Sequence, residues 1–143
     1  MSYVHIFAYF IMAIIFPGMF IFTVIMCFDL ISQAAAQETP KHILISIVQG
    51  ASSPLNHEFF IPKVTTPPIS PGTNVTWINN DSTTHTVYTG TFDSGFSGPE
   101  PFKSGIIIPG RAVSHTFTNP NTTNDYYCSI HPFMTGKIIV SNK

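Results

Sequence analysis

Three side chains near the C-terminal end of the sequence share a chemistry. In YYCSIHPFMTGKIIV, residues 126–140, Cys128, His131 and Met134 stand three residues apart. A thiolate, an imidazole and a thioether form a soft-leaning donor set. Carboxylates and carbonyls suit magnesium or calcium, whereas this set favours copper. An oxidisable thiol in a short loop after a strand is costly to keep unless something uses it. Zinc also takes cysteine and histidine, and the methionine argues against it. A trigonal site of two histidines and one cysteine, with a weak axial methionine, is an established copper arrangement. The C-x2-H-x2-M loop supplies all of it but one histidine, which must come from elsewhere in the fold.

The remaining histidines are His5, His42, His57, His85 and His115. His5 lies in an apolar run. His42 and His57 precede the first two strand candidates and read as solvated residues. His115, in AVSHTF, shares a strand face with Val113 and Phe117 and reads as a packed or half-exposed strand residue. His85 follows the polar stretch NNDSTT and starts the strand candidate HTVYTG. A loop end on a rigid strand is where a ligand can face a site, so position favours His85.

The elements that must position these residues have a period of two. HILISIVQG places Ile43, Ile45 and Ile47 on one face, and HEFFIPKV is a second strand candidate with Pro62 at an edge or bend. PPISPGTNVTWIN is a turn followed by a strand with Val75 and Trp77 on one face. HTVYTG follows. FKSGIIIPGRAVSHTFTN reads as strand, turn, strand, and NDYYC and GKIIVS close the chain. No amphipathic helix pattern appears after residue 41. Seven or so short strands in about 100 residues predict an all-β, two-sheet sandwich. Trp77 and the phenylalanines belong to its core, and Gly136 begins the last strand.

With those segments in place, a family resemblance emerges. WINNDSTTHTV and YYCSIHPFMTGKIIV resemble the two ligand segments of the cupredoxins, the small blue copper proteins. The short C-x2-H-x2-M loop is most similar to amicyanin-type members of the plastocyanin/azurin group. The resemblance runs from about residue 43 to 141 through FFIPKV, PGTNVTWINND, FDSG and PGRAVSHTF. It implies a Greek-key β-sandwich with one mononuclear type 1 copper, Cu(I)/Cu(II), at one end. It implies His85, Cys128 and His131 as equatorial ligands and Met134 as axial ligand. It also implies that His131 reaches the surface as the electron exit. Many relatives carry asparagine directly after the first ligand histidine, tying the ligand loops together. Here Thr86 stands in its place, and Thr84 replaces the usual proline before the histidine. A threonine hydroxyl can still bond backbone, and the tie is expected to be weaker.

Composition narrows the function further. Charged residues make up 9% of the chain and the formal net charge is -1. That excludes a basic stripe for nucleic acid. Residues 3–28 contain no Asp, Glu, Lys or Arg and are long enough to cross a bilayer. Residues 1–30 are therefore expected to be an N-terminal hydrophobic helix, either a transmembrane anchor or a signal segment. Residues 31–41 form a linker and residues 42–143 the copper domain. Ala34, Ala35 and Ala36 offer a cleavage site that would release a secreted form. The positive-inside rule would hold Lys41 in the cytoplasm, but the signal-like alanines and the copper domain favour the extracytoplasmic side. Cys128 is then the single thiol of that domain and has no intrachain disulfide partner. The sequons at Asn74, Asn80 and Asn121 read as chance matches in a chain rich in Asn, Ser and Thr.

The expected function is single-electron transfer between membrane-associated redox proteins, with docking near His131, Pro132 and Phe133. The alternative is a copper-binding carrier or subunit of a larger membrane complex. No enzyme is expected: multicopper enzymes add H-x-H ligand pairs, and this chain has none. A binuclear copper centre would need a second cysteine on the loop.

Overall fold

The computed structural model describes residues 41–142; the expected N-terminal helix, its bilayer-spanning run and the cleavage site lie outside the described residues. Among the described residues no helix is long and apolar enough to cross a membrane. The described residues form eight strands: β1 (His42–Ile47), β2 (Phe60–Ile61), β3 (Thr73–Asn79), β4 (Tyr88–Thr91), β5 (Gly95–Phe96), β6 (Ala112–Phe117), β7 (Thr122–Tyr127) and β8 (Thr135–Val140). They assemble as two four-stranded sheets in the orders β2-β1-β3-β6 and β5-β4-β7-β8. The all-β, two-sheet expectation holds.

Alternation sets the inner faces. Along β3 the odd residues Thr73, Val75, Trp77 and Asn79 are buried while the even ones are half-exposed. β1 runs parallel to β3, pairing Ile45 with Trp77 and Ile47 with Asn79. Ile45 and Ile47 thus turn to the same side as Val75 and Trp77. From the other sheet come Tyr126, Ile138 and Val140. Trp77 is central: its ring lies edge to face with Tyr126 at 5.5 Å and Phe117 at 6.3 Å, and stacks on Phe102 at 5.9 Å. Each such large side chain contributes about 1.5–3 kcal/mol by leaving water. Cys128 and Met134 belong to this same buried cluster. Two of the predicted ligands are therefore held by the core itself.

Three segments depart from the expected pattern. His42 is the first residue of β1, where its Nε2 lies 3.0 Å from Thr76 Oγ1. HEFFIPKV yields only the two-residue edge strand β2 before the Ile61–Pro62 bond. The first half of FKSGIIIPGRAVSHTFTN is not a regular strand. It touches its neighbours through two single bridges, Tyr88 to Lys103 and His85 to Ile107. Gly105 between them has φ +69°, a left-handed conformation that interrupts the ladder. Ile106 and Ile108 consequently face solvent while Ile107 is buried.

Candidate metal centre

Register brings the two ligand segments together. β4 pairs antiparallel with β7, Tyr88 opposite Tyr127 and Thr89 opposite Tyr126. This places the residues before β4 beside those after β7. His85 is fixed further by backbone bonds to Ile107 in both directions, 3.1 and 2.8 Å. The result is a compact group: Cys128 Sγ lies 3.8 Å from Nδ1 of both His85 and His131, and the two Nδ1 atoms are 3.2 Å apart. One donor atom from each of the three residues falls within 4.8 Å of the others. Two imidazole nitrogens and a sulfur converging this closely fit one soft metal ion. Met134 is fully buried in the adjoining core. Its loop is closed by the Cys128 N–H donating to the Met134 carbonyl at 3.1 Å and the Met134 N–H donating to the His131 carbonyl at 2.9 Å.

The sulfur is prepared as a thiolate. Burial pushes the Cys128 thiol up, but hydrogen bonding with His85 and His131 and with the Thr86 backbone outweighs it and holds the pKa at about 6. The Thr86 N–H points at Sγ from 3.4 Å and its hydroxyl from 3.7 Å. A thiolate is the form that binds metal.

The tie between the loops survives the replacement of asparagine by Thr86. The Ser129 N–H donates to Thr86 Oγ1 at 2.8 Å, and the two hydroxyls lie 2.9 Å apart. The sequence suggested a weaker tie, yet the threonine oxygen accepts the backbone bond directly.

Sequence reasoning missed Asp81. Its Oδ2 lies 2.8 Å from His85 Nε2, and both side chains are shielded from water. Burial pushes the Asp81 carboxyl up. Hydrogen bonds from His85, Gly50, Ser82 and Thr83 overcome that and hold it well below the usual carboxylate range. For His85, burial lowers the pKa, but bonding to Cys128 and Asp81 raises it above the usual value. The available signal was the aspartate four residues before the histidine in DSTTH. The set of donors that makes it an anchor comes from distant loops.

The other histidines stay apart. His115 stacks on Phe102 at 4.5 Å, half-buried on β6, as its alternation with Val113 and Phe117 suggested. His57 is exposed.

On the far side of the group, His131 is half-exposed beside Ile130 and Phe133, which face solvent. The Phe133 ring lies 5.9 Å from His131 and 5.2 Å from Phe59.

Comparison with known proteins agrees with this geometry. The chain is 41% identical over 69 residues to amicyanin of Paracoccus denitrificans, a match covering 48% of this chain and 50% of amicyanin. The chain spans about half the length of the curated relatives it matches. Its fold is similar to a purple cupredoxin from Nitrosopumilus maritimus, with TM-score 0.61, 29% identity, and coverage of 69% of this chain and 99% of that one. It is also similar to the copper-containing nitrite reductase of Thermus scotoductus SA-01, with TM-score 0.54 and 28% identity. That match covers 71% of this chain but 22% of the reductase. The family model for copper binding proteins of the plastocyanin/azurin family matches residues 58–141. The chain belongs to that family of copper-binding proteins, with a single copper ion as its cofactor.

Proposed function

We propose that this protein is a single-electron carrier whose type 1 copper is held by His85, Cys128, His131 and Met134. The observation that carries the reading is the convergence of two imidazole nitrogens and the Cys128 sulfur within 4.8 Å, with Met134 buried beside them. Bound copper supplies a one-electron couple. The chain's own residues keep that couple fast and selective. Strand pairing and the core fix Cys128 and Met134 against movement, which limits rearrangement between oxidation states. Thr86 directs its N–H at the sulfur. His85 is sealed from water, whereas half-exposed His131 is the route by which an electron leaves.

The partners are redox proteins that dock at His131, Pro132 and Phe133, where apolar surface surrounds the exit. With so few charges in the chain, contact rather than a long-range field guides docking. Residues 3–28 would tether the domain to a membrane on the extracytoplasmic side, beside membrane-associated partners. The domain acts as a carrier rather than a catalyst. Its likeness to the nitrite reductase reaches less than a quarter of that enzyme.

The test is the visible and copper spin-resonance spectrum of the copper(II)-loaded protein. An intense blue thiolate band with narrow copper hyperfine splitting, and a reversible couple, all lost in Cys128→Ser, is expected. A colourless protein that binds zinc as tightly as copper would overturn the reading. Docking is checked by Phe133→Ala, which is expected to slow exchange with the native partner while leaving the spectrum unchanged.

A further inference from the structure

Asp81 receives far more than a single ligand contact requires. Its Oδ1 accepts the Gly50 N–H at 2.9 Å, the Ser82 N–H at 2.8 Å and Gln49 Nε2 at 3.3 Å. Its Oδ2 accepts the Ser52 N–H at 3.2 Å, the Thr83 hydroxyl at 3.0 Å and the His85 ring at 2.8 Å. The residue is 3% exposed. All six donors are N–H or O–H groups, so the carboxylate is built into the fold as an anion. The same bonds join two distant segments, residues 49–52 and residues 81–85. Ala51, between the donors of the first, is buried in the core. The loop cannot withdraw from Asp81 without opening the sandwich.

We infer that Asp81 is a positioning residue for the copper site: it fixes the His85 proton on Nε2, leaves Nδ1 as the metal donor, and lowers the reduction potential. The inference rests on His85 being a copper ligand, as proposed above. The physical reason has two parts. A carboxylate bonded to the far nitrogen of a metal-bound imidazole sets its tautomer and makes it a stronger donor. It also places a fixed negative charge behind the ligand, which favours the more positive oxidation state. Geometry supplies a third effect. Nε2 is held at 2.8 Å by Asp81 while Nδ1 lies 3.8 Å from Cys128 Sγ, so the ring is engaged at both nitrogens and its rotation would break the Asp81 bond. His131 has a half-exposed ring and no acidic anchor among its described contacts.

Two measurements on the full-length copper protein test this. The first is the reduction potential of Asp81→Asn and Asp81→Glu. Removing the charge is expected to cut the preference for copper(II) over copper(I) by about tenfold, a positive shift of ~59 mV by the one-electron conversion. Asp81→Glu, which keeps the charge, is expected to stay near the parent. A role in folding alone would lower the melting temperature of both variants and leave their potentials unmoved. That result, or an Asp81→Glu shift as large as that of Asp81→Asn, overturns the inference. The second measurement needs no variant and holds even if Asp81→Asn fails to fold. In the diamagnetic copper(I) protein the His85 Nε2 proton is expected as a downfield, slowly exchanging nitrogen-bound resonance. Its rapid exchange with water overturns the inference. A protein that shows no blue copper spectrum would instead fail the ligand assignment, whereas a blue protein indifferent to Asp81 fails only this one.

Discussion

The two ligand segments hold their histidines by opposite means. His85 is fully buried, backed by a carboxylate and bonded through its backbone to Ile107. His131 stands half-exposed on a loop braced by its own backbone, with aromatic rings as neighbours. One segment is designed to stay still and the other to be reached. An electron carrier needs both: a fixed inner side limits rearrangement of the site, and an accessible outer side brings a partner's redox centre close. The difference also explains why few charges suffice. The densely bonded Asp81 carboxylate lies inside, against His85, and the outer rim at Ile130 and Phe133 is left apolar.

The sharpest way to break this comparison is to delete each ring. His131→Gly is expected to lose the blue spectrum and recover it when imidazole is added, because the vacated space opens to solvent. His85→Gly is expected to lose it without recovery, since that position has no exposed surface. Equal recovery in both, followed by absorption titration with imidazole, would erase the distinction between the segments.

A smaller effect tests how the outer loop is anchored where it enters β8. A Cβ built on Gly136 falls on the ring of Tyr126. Gly136→Ala is therefore expected to destabilise the fold by about 1–3 kcal/mol through overpacking, read as a lower denaturation midpoint. The blue band of the folded fraction should persist, because no ligand is touched.

The tie between the segments comes next. Thr86→Val keeps the shape of the residue but removes the acceptor for the Ser129 N–H. An unpaired backbone donor costs about 1–3 kcal/mol when buried. Ser129 is only half-buried, so a loss near the lower end is expected in chemical denaturation. Thr86→Asn should recover most of it.

The smallest effect lies outside both segments and serves as their control. Burial lowers the His115 pKa below its ordinary 6.5, although Glu100 nearby pulls it upward. The unfolded chain then binds a proton that the folded one resists. His115 thus contributes stability that is present above pH 6.5 and is lost as pH falls through the folded value. In the copper-free protein, His115→Phe is expected to flatten the fall in melting temperature between pH 7 and 5. Its copper spectrum should be that of the parent at every pH.

How much of this was readable in advance varies with the physics of each element. β3 and β8 were legible because they are long, alternating and bounded by turns. The segment 102–108 looked like a strand by composition. Its Gly105 conformation and single-residue bridges depend on what lies beside it, so local pattern overstated its regularity. The two-residue β2 was overestimated for a related reason, since an edge strand pairs only as far as its neighbour allows. The candidate site divides the same way. Spacing alone singled out Cys128, His131 and Met134, and the structure brings the first two together, with Cys128 Sγ 3.8 Å from His131 Nδ1. Position and family resemblance singled out His85. For Thr86 the sequence allowed a backbone bond and a weaker tie, and only the fold shows that its partner is the Ser129 N–H. Asp81 was overlooked, because an aspartate in a polar loop has the look of a solvated turn residue.

By itself, then, the sequence determined the donor chemistry, the three-residue spacing of one ligand loop, the inward faces of the main strands and the rarity of charge. These are properties of covalent connectivity and of side-chain type, which no fold can alter. Tertiary structure alone decided that the register of β4 on β7 brings His85 to within 3.8 Å of Cys128. It also decided that residues 49–52 close over Asp81 and make it the anchor of that histidine. Both depend on contacts between residues some thirty to forty positions apart. Such contacts form only when strand pairing and core burial offset the entropy of bringing distant segments together.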